Sequence, residues 1–287
     1  PGVLDAAAAE LDHAWEYPEH AYLELRRAIG AEIGVAADWI LPGHGIQTLI
    51  LTLAAVFLSP GERVVVSDPT YAMYAQASRA AGAVVQRVDS SELHLDLERM
   101  ADAARRTRAR MVWVCDPNNP TGSLLEADEW RAFIRALPED CVVAADEAYM
   151  DFVAPDARLR REDDIAAGRP VIVLRTFSKI FGLAGLRLGY AVATPGLIPY
   201  LQSVQEPFNV NRPALVAGLA GVIEARQLVG LAAAPAKVQR HAPPPAGLGA
   251  LQEAAHVVRA RRAFQSVEQQ NRQMVLRLCL PVTVGED

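Results

Sequence analysis

One lysine, Lys179, follows the carboxyl end of a predicted strand and precedes a glycine-rich loop, in the stretch RTFSKIFGLAGLRLGY. A lysine amine in a partly apolar, desolvated pocket loses its proton more readily and can then form a Schiff base with a carbonyl compound. Ser178 and Arg187 suit a phosphate group, and the glycines allow the backbone to pass close to a bulky ligand. A serine–lysine pair after a strand is also common in ordinary loops. The interpretation therefore depends on what the rest of the sequence places beside this lysine.

A carboxylate, Asp146, follows the predicted strand at 141–145, in the stretch DEAYMDF. A buried carboxylate facing a site can keep a pyridine nitrogen protonated, which makes the ring an electron sink. Tyr149, three residues later, can donate a hydrogen bond to a phenolate oxygen on such a ring. The competing interpretation is a Walker B strand, but the sequence contains no GK[ST] phosphate loop to accompany it.

Two more loops carry side chains that suit a planar, oxygen-bearing ring. Asn119 lies in the turn DPNNPTG, after the predicted strand at 111–115, and could reach the same phenolate oxygen. Tyr71 lies in DPTYAMY and could stack on the ring. Considered alone, DPNNPTG is an unremarkable turn, and the tyrosine of DPTYAMY is explained by ordinary aromatic packing.

A glycine-containing segment, LPGHG, leads directly into an apolar helix predicted at 46–58. The first N–H groups of a helix have no partner within it, so this segment predicts an anion site. A dinucleotide-binding fingerprint is the alternative. It is weaker because the third glycine is missing and no convincing strand precedes the segment.

From residue 62 onward, short Val-rich strands alternate with helical segments. This alternation predicts an α/β fold with a mainly parallel sheet, in which loops at the carboxyl ends of the strands carry function. Asp146, Asn119 and Lys179 all occupy such ends. The predicted strands are 63–67, 83–88, 111–115, 141–145 and 171–174. The predicted helices are 3–33 (interrupted at Pro18), 46–58, a segment ending at 81, 95–104, 124–137, 214–229 and 250–278.

Composition narrows the class of protein. The chain has 287 residues, of which 51% are hydrophobic and 22% charged, as expected of a globular protein with a substantial core. A net charge of −6 argues against general nucleic-acid binding. Three scattered cysteines show neither metal-site spacing nor a disulfide framework, which favours the cytoplasm. The apolar run at 49–58 is too short to span a bilayer.

Together these stretches resemble the fold-type I pyridoxal-phosphate (PLP) aminotransferases, and most closely the histidinol-phosphate aminotransferase group. The matching segments run in the family's order over residues 1–215, about three quarters of the chain. They are EYP at 16–18, DPTYAMY, DPNNPTG, DEAYMDF and TFSKIFGLAGLRLGY. The combination of these segments in this order is specific for the family, whereas no single segment is.

The resemblance implies a role for each candidate residue. Lys179 would bind the cofactor covalently and then move a proton between the cofactor and the substrate Cα. Asp146 would pair with the pyridine nitrogen, Asn119 and Tyr149 with the phenolate oxygen, and Tyr71 would stack on the ring.

The phosphate of the cofactor and the neighbouring subunit complete the implied site. The phosphate would be held by Ser178, Arg187 and the backbone of Gly45, Ile46 and Gln47. Tyr17 would reach the site of the partner subunit, so the resemblance implies a homodimer.

The implied reaction is transamination between an amino donor, such as L-histidinol phosphate or an aromatic amino acid, and 2-oxoglutarate. A PLP-dependent decarboxylase of amino-acid phosphates and a catalytically impaired paralogue that retains the PLP site are the alternatives. The implied domains are an N-terminal dimer-contact segment (1–30), a PLP-binding large domain (31–212) and a truncated or divergent C-terminal small domain (213–287).

Two departures from the family pattern bear on these expectations. In the glycine segment, His44 and the residues that follow Gly45 replace the usual Asn-Gly and acidic residues, so phosphate binding would depend more on backbone N–H groups. Near the C-terminus, Pro281 occupies the position of the arginine that binds the substrate anion in the family. That change is the main observation in favour of an impaired paralogue.

Overall fold

The computed structural model describes residues 2–231, with side chains described as far as Glu224. The predicted tail elements, Cys279 and Pro281 lie outside the described residues. The strands are β1 (Ile40–Gly43), β2 (Arg63–Asp68), β3 (Val84–Asp89), β4 (Met111–Cys115), β5 (Val142–Asp146), β6 (Val171–Thr176) and β7 (Gly189–Val192). The helices are α1 (Gly2–Ala9), α2 (Leu23–Ile33), α3 (Gly45–Phe57), α4 (Met73–Ala80), α5 (Leu97–Thr107), α6 (Ala127–Ala136), α7 (Glu162–Ala166), α8 (Ile198–Gln202) and α9 (Arg212–Leu231).

The seven strands form one sheet in the order β1-β7-β6-β5-β4-β2-β3. Five neighbouring strands are parallel, as predicted, namely β6, β5, β4, β2 and β3. The other two, β7 and β1, are antiparallel and form one edge of the sheet. All five predicted strands are present, with ends that differ by at most two residues. The carboxyl ends of β2, β4, β5 and β6 therefore meet at one edge of the sheet.

Helices cover both faces of the sheet, so its central strands are buried on both sides. β4 shows this most simply, because all five of its residues are buried. Val112 and Val114 belong to one hydrophobic cluster, with side chains of α2, α5, α6 and α9, while Met111 and Trp113 belong to the other, with side chains of α3, α4 and α8. Alternation of the side chains along the strand sends neighbours to opposite faces.

The LPGHG segment itself begins in a strand that the sequence did not predict. Ile40–Gly43 forms β1, which pairs with β7 in antiparallel register from Ile40 opposite Val192 to Gly43 opposite Gly189. Both strands are four residues long, and β1 contains Pro42, so neither carries a clear strand pattern of its own. Because β1 is antiparallel to its neighbour, it does not create the parallel βαβ unit of a dinucleotide fold.

The predicted helix at 3–33 is interrupted over a longer segment than Pro18 alone would cause. α1 continues as a 3₁₀ turn at Glu10–His13, and α2 begins only at Leu23. The Glu19 carboxylate accepts hydrogen bonds from the backbone N–H groups of Ala21 and Leu23, which fixes the start of α2 at that point. Within the described residues, no helix is both long enough and apolar enough to cross a membrane.

Candidate active site

A pocket of about 200 Å³ lies at the edge of the sheet where the parallel strands end. Nine of the residues predicted from the sequence line it, namely Ile46, Gln47, Tyr71, Asn119, Asp146, Tyr149, Ser178, Lys179 and Arg187. Tyr74, Cys115, Ala148, Thr176 and Ala184 complete the lining, and sequence reasoning missed all five. Since these residues come from separate loops, the strand-end placement is what brings them together.

Asp146, the last residue of β5, forms the floor of the pocket and is only 3% exposed. Its Oδ2 accepts a hydrogen bond from the Tyr74 hydroxyl at 2.7 Å, and its Oδ1 accepts one from the backbone N–H of Ala148 at 2.9 Å. Burial raises the pKa of Asp146 to about 6, although the two hydrogen bonds oppose that rise. A cationic partner on the pocket side would therefore favour the charged carboxylate.

Lys179 lies in the loop beyond β6, with its Nζ 5.0 Å from the centre of the Tyr149 ring. Buried Phe177 anchors this loop by packing against Phe181 and Tyr190. The Lys179 side chain is exposed, so the described residues alone do not provide the desolvated surroundings that the sequence predicted. The amine thus lies over the face of an aromatic ring, on a side chain that is exposed.

The segment that the sequence predicts to bind an anion forms the N-terminus of α3. His44 occupies the position before the helix but makes no side-chain cap, so the first backbone N–H groups receive no bond from it. Arg187 lies beside them, with its backbone in the left-handed region (φ 58°) and its Nη1 donating to the Ala184 carbonyl at 3.0 Å. The helix N-terminus and the guanidinium together suit a phosphate group.

The close approach of the neighbouring strands depends on Gly189, the first residue of β7. A Cβ atom at this position would lie 3.0 Å from the backbone nitrogen of Ile46 and 2.9 Å from the Arg175 carbonyl oxygen. Any larger residue would push the beginning of α3 away from β6, and with it the predicted phosphate contacts away from Lys179.

Asn118 connects two of the loops that line the pocket and was not predicted. Its buried side chain donates to the Pro69 carbonyl at 3.0 Å and accepts from the Thr70 hydroxyl at 2.8 Å. These bonds join the turn after β4 to the loop after β2, and each of these loops contributes a residue to the pocket lining, Asn119 and Tyr71. The Tyr71 ring meets the Tyr74 ring edge to face, with centres 5.5 Å apart.

A buried charge network lies behind the pocket. Arg161, fully buried, donates to Asp116 at 2.5 Å and to Glu147 at 2.6 Å. Arg175 bonds the other oxygen of Glu147 at 2.7 Å and also pairs with Glu162 at 2.8 Å. Burial acts to raise the pKa of Glu147, but the two arginines outweigh it and the pKa is lowered. The network thus ties the ends of β4, β5 and β6 together next to the candidate residues.

Two predicted residues are not part of the pocket lining. Gly45 lies immediately beside it, against the Arg187 guanidinium. Tyr17 is 77% exposed and stacks on Phe208 with ring centres 4.7 Å apart. Arg212 fixes this N-terminal segment by donating to the Glu16 carboxylate and the Tyr17 carbonyl. Tyr17 is therefore held on the surface and does not line the pocket of its own chain.

The mainly parallel sheet with a pocket at its strand ends is the fold-type I architecture that the sequence predicted. The chain belongs to the family of class I and II aminotransferases, whose sequence profile matches residues 4–242.

Individual relatives agree with this assignment. The chain is 39% identical to a histidinol-phosphate aminotransferase of Moorella thermoacetica over 223 residues, which cover 77% of this chain and 58% of the relative. It thus spans less than two thirds of the length of that relative.

Solved structures show the same likeness. A histidinol-phosphate aminotransferase of Sinorhizobium meliloti in complex with pyridoxal-5'-phosphate superposes with a TM-score of 0.76 at 30% identity, covering 80% of this chain and 62% of the other. L-threonine-O-3-phosphate decarboxylase of Porphyromonas gingivalis superposes with a TM-score of 0.69 at 26% identity, covering 79% of this chain and 69% of the other.

Proposed function

We propose that this protein binds PLP and catalyses transamination between an amino donor such as L-histidinol phosphate, or an aromatic amino acid, and 2-oxoglutarate. One observation carries the proposal. The Lys179 amine and the buried Asp146 carboxylate lie in one pocket, at the ends of adjacent strands β6 and β5. Family membership and the matched relatives support it.

The residues of the pocket fit PLP at both ends of the cofactor. At the floor, Asp146 has one protein donor on each oxygen, and a pyridinium N–H from the pocket side would favour its charged form. At the other end, the start of α3 and Arg187 offer N–H donors to a phosphate. Between them, Tyr149 and Asn119 can donate to a phenolate oxygen, and Tyr71 can contact the ring face.

When bound, PLP supplies an electron sink that stabilises negative charge at the substrate Cα. Asp146 would keep the pyridine nitrogen protonated, because a cation beside this buried carboxylate stabilises its charged form. Lys179 would hold the cofactor, and its Nζ would accept a proton from the substrate Cα and release it again within the pocket, a short transfer that its flexible stem allows. The amine lies 5.0 Å from the centre of the Tyr149 ring, next to a residue proposed to bind the phenolate oxygen.

The proposal extends to the assembly of the protein. We assign residues 31–212 to the PLP-binding large domain, 1–30 to a dimer contact and 213–287 to a shortened small domain. Tyr17 is exposed and rigidly held, which suits a side chain that enters the site of the partner subunit of a cytoplasmic homodimer.

A second candidate is decarboxylation of an amino-acid phosphate. It is favoured by the likeness to the L-threonine-O-3-phosphate decarboxylase structure. The same cofactor contacts serve both reactions, so the described pocket does not separate them. The impaired paralogue is the third candidate, and it depends on Pro281.

The deciding experiment gives the PLP-loaded full chain three substrate mixtures. L-Histidinol phosphate with 2-oxoglutarate is assayed for glutamate, phenylalanine with 2-oxoglutarate is assayed in the same way, and L-threonine O-3-phosphate is assayed for released carbon dioxide. Glutamate formation that is lost in Lys179→Ala is the expected result. Carbon dioxide without glutamate would establish the decarboxylase, and PLP binding without either product would establish the paralogue.

A further inference from the structure

Tyr74 is a buried tyrosine whose hydroxyl faces the floor of the pocket. It lies in α4, is 1% exposed and donates to Asp146 Oδ2 at 2.7 Å. The second donor to this carboxylate is a backbone N–H, that of Ala148. Tyr74 is therefore the side chain through which this protein can adjust Asp146 directly.

The tyrosine ring is fixed on several sides. It stacks on Trp113 with ring centres 5.2 Å apart and an interplanar angle of 11°. Trp113 Nε1 donates to the Ser78 hydroxyl at 3.2 Å, and the Ser78 hydroxyl donates to the Tyr74 carbonyl at 2.7 Å. This closed set of contacts joins α4 to β4 and holds the Tyr74 ring beside Asp146, where the hydroxyl also lies within reach of Cys115.

Burial works against a charge on Asp146, so the protein must compensate if the carboxylate is to stay ionised. A hydrogen bond from a neutral phenol favours the ionised form, because the donor bonds more strongly to a carboxylate than to a carboxylic acid. The phenol itself keeps its proton, since burial raises the pKa of Tyr74 well above its usual value. The titratable groups that face Asp146 are Tyr71, Tyr74, Cys115, Glu147 and Lys179.

We propose that Tyr74 is a positioning residue that orients the Asp146 carboxylate and keeps it ionised for the pyridine nitrogen. The proposal rests on the PLP-binding function proposed above. Its consequence is that a residue of α4, remote in sequence from the cofactor contacts of β5 and β6, sets how firmly the ring proton is held.

The test compares Tyr74→Phe with Ser78→Ala. The phenylalanine keeps the ring that stacks on Trp113 and removes only the donor, whereas Ser78→Ala removes a bond that supports Tyr74 but leaves the donor in place. The first measurement uses protein without cofactor, labelled with ¹³C at aspartate Cγ, and identifies the Asp146 signal by its loss in Asp146→Asn.

The pKa of Asp146 is then followed by NMR. We expect Tyr74→Phe to raise it by about one pH unit, a tenfold change in proton affinity, and Ser78→Ala to leave it unchanged. With PLP bound, Tyr74→Phe should lower kcat about tenfold while KM for the amino donor stays within about twofold. If Tyr74 only supported the fold, Tyr74→Phe would leave the pKa of Asp146 unchanged and would not lower kcat selectively over KM.

A second variant covers the case in which Tyr74→Phe does not fold. Replacing Tyr74 with 3-fluorotyrosine keeps its shape and makes the phenol a stronger donor, so the pKa of Asp146 should fall. An Asp146 pKa that is the same in unmodified, phenylalanine and fluorotyrosine proteins would overturn the inference, whatever the cofactor does. Failure of the unmodified chain to bind PLP would overturn the proposed function instead, and the two failures are thus distinguishable.

Discussion

Gly45 lies so close to Arg187 that a Cβ atom on Gly45 would stand 2.6 Å from the Arg187 Nη2. The glycine also has φ +73°, a backbone conformation that other residues adopt only with strain. The absence of a side chain at this position therefore lets the start of α3 and the guanidinium lie close together.

Gly45→Ala should weaken PLP binding by about tenfold or more, because the methyl group displaces Arg187 and strains the backbone by roughly 1–2 kcal/mol. Absorbance titration with PLP measures the affinity. Gly196→Ala is the matched control, since a Cβ there meets no atom within 4 Å. Equal affinities for the two variants would refute the proposed phosphate contact.

Covalent attachment of PLP should occur at Lys179. The sequence contains two lysines, Lys179 and Lys237, and the second lies outside the described residues. Borohydride reduction of the PLP-loaded protein followed by peptide mapping should place the label on Lys179, and Lys237→Arg should label normally. A label on Lys237, or none at saturating PLP, contradicts the assignment.

Asp146 should make the cofactor-free protein less stable as the pH rises. Its folded-state pKa of about 6 exceeds the unfolded value of roughly 3.9, so the folded carboxyl binds its proton more tightly. Its stabilising contribution is present below about pH 4 and is lost as the pH rises through 6. The free energy of unfolding falls by about 3 kcal/mol over this range. Urea unfolding of unmodified protein and Asp146→Asn between pH 4 and 7 measures the difference, and a constant difference would contradict the burial effect.

Asp146→Ala should reduce turnover far more than it reduces PLP affinity. The variant loses the group that keeps the ring nitrogen protonated, and a loss of about 10²–10³ in kcat is expected of such a preorganised charge. Steady-state kinetics and a PLP titration separate the two effects. An unchanged circular-dichroism spectrum is the required control, and near-normal turnover in a folded variant would rule out the assigned role.

Arg161→Met should destabilise the fold by about 3–5 kcal/mol, because it leaves Asp116 and Glu147 buried without their common partner. Arg131→Met is the control, since the exposed pair of Arg131 with Asp128 is worth less than about 1 kcal/mol. Urea unfolding of both variants tests the prediction. Similar losses of unfolding free energy in the two variants would show that the buried network contributes no more to stability than a surface pair.

The sequence predicted the parallel strands and most of the pocket because their signals are local. Asn119, Asp146 and Lys179 each follow a Val-rich run, and the ends of such runs coincide in space once the sheet is parallel. Arg161 and Tyr74 carry no such signal. Their partners Glu147 and Asp146 are 14 and 72 residues away in the chain, so only the folded structure reveals those bonds.

The exposure of Lys179 was also beyond the reach of the sequence. Its neighbours in sequence, Phe177 and Phe181, pack against each other and against the core, whereas Lys179 itself is exposed. β1 and β7 were missed for a different reason, since each is short and is defined by its partner strand.

The enclosed network of Arg161 and Arg175 with their three carboxylates constrains how this protein can diverge. Loss of either arginine leaves the buried carboxylates with too little positive charge and is strongly unfavourable, whereas a matched exchange of acid and base for apolar residues is nearly neutral. Positions 116, 147, 161, 162 and 175 should therefore vary together among descendants of this sequence, as linked sets of substitutions.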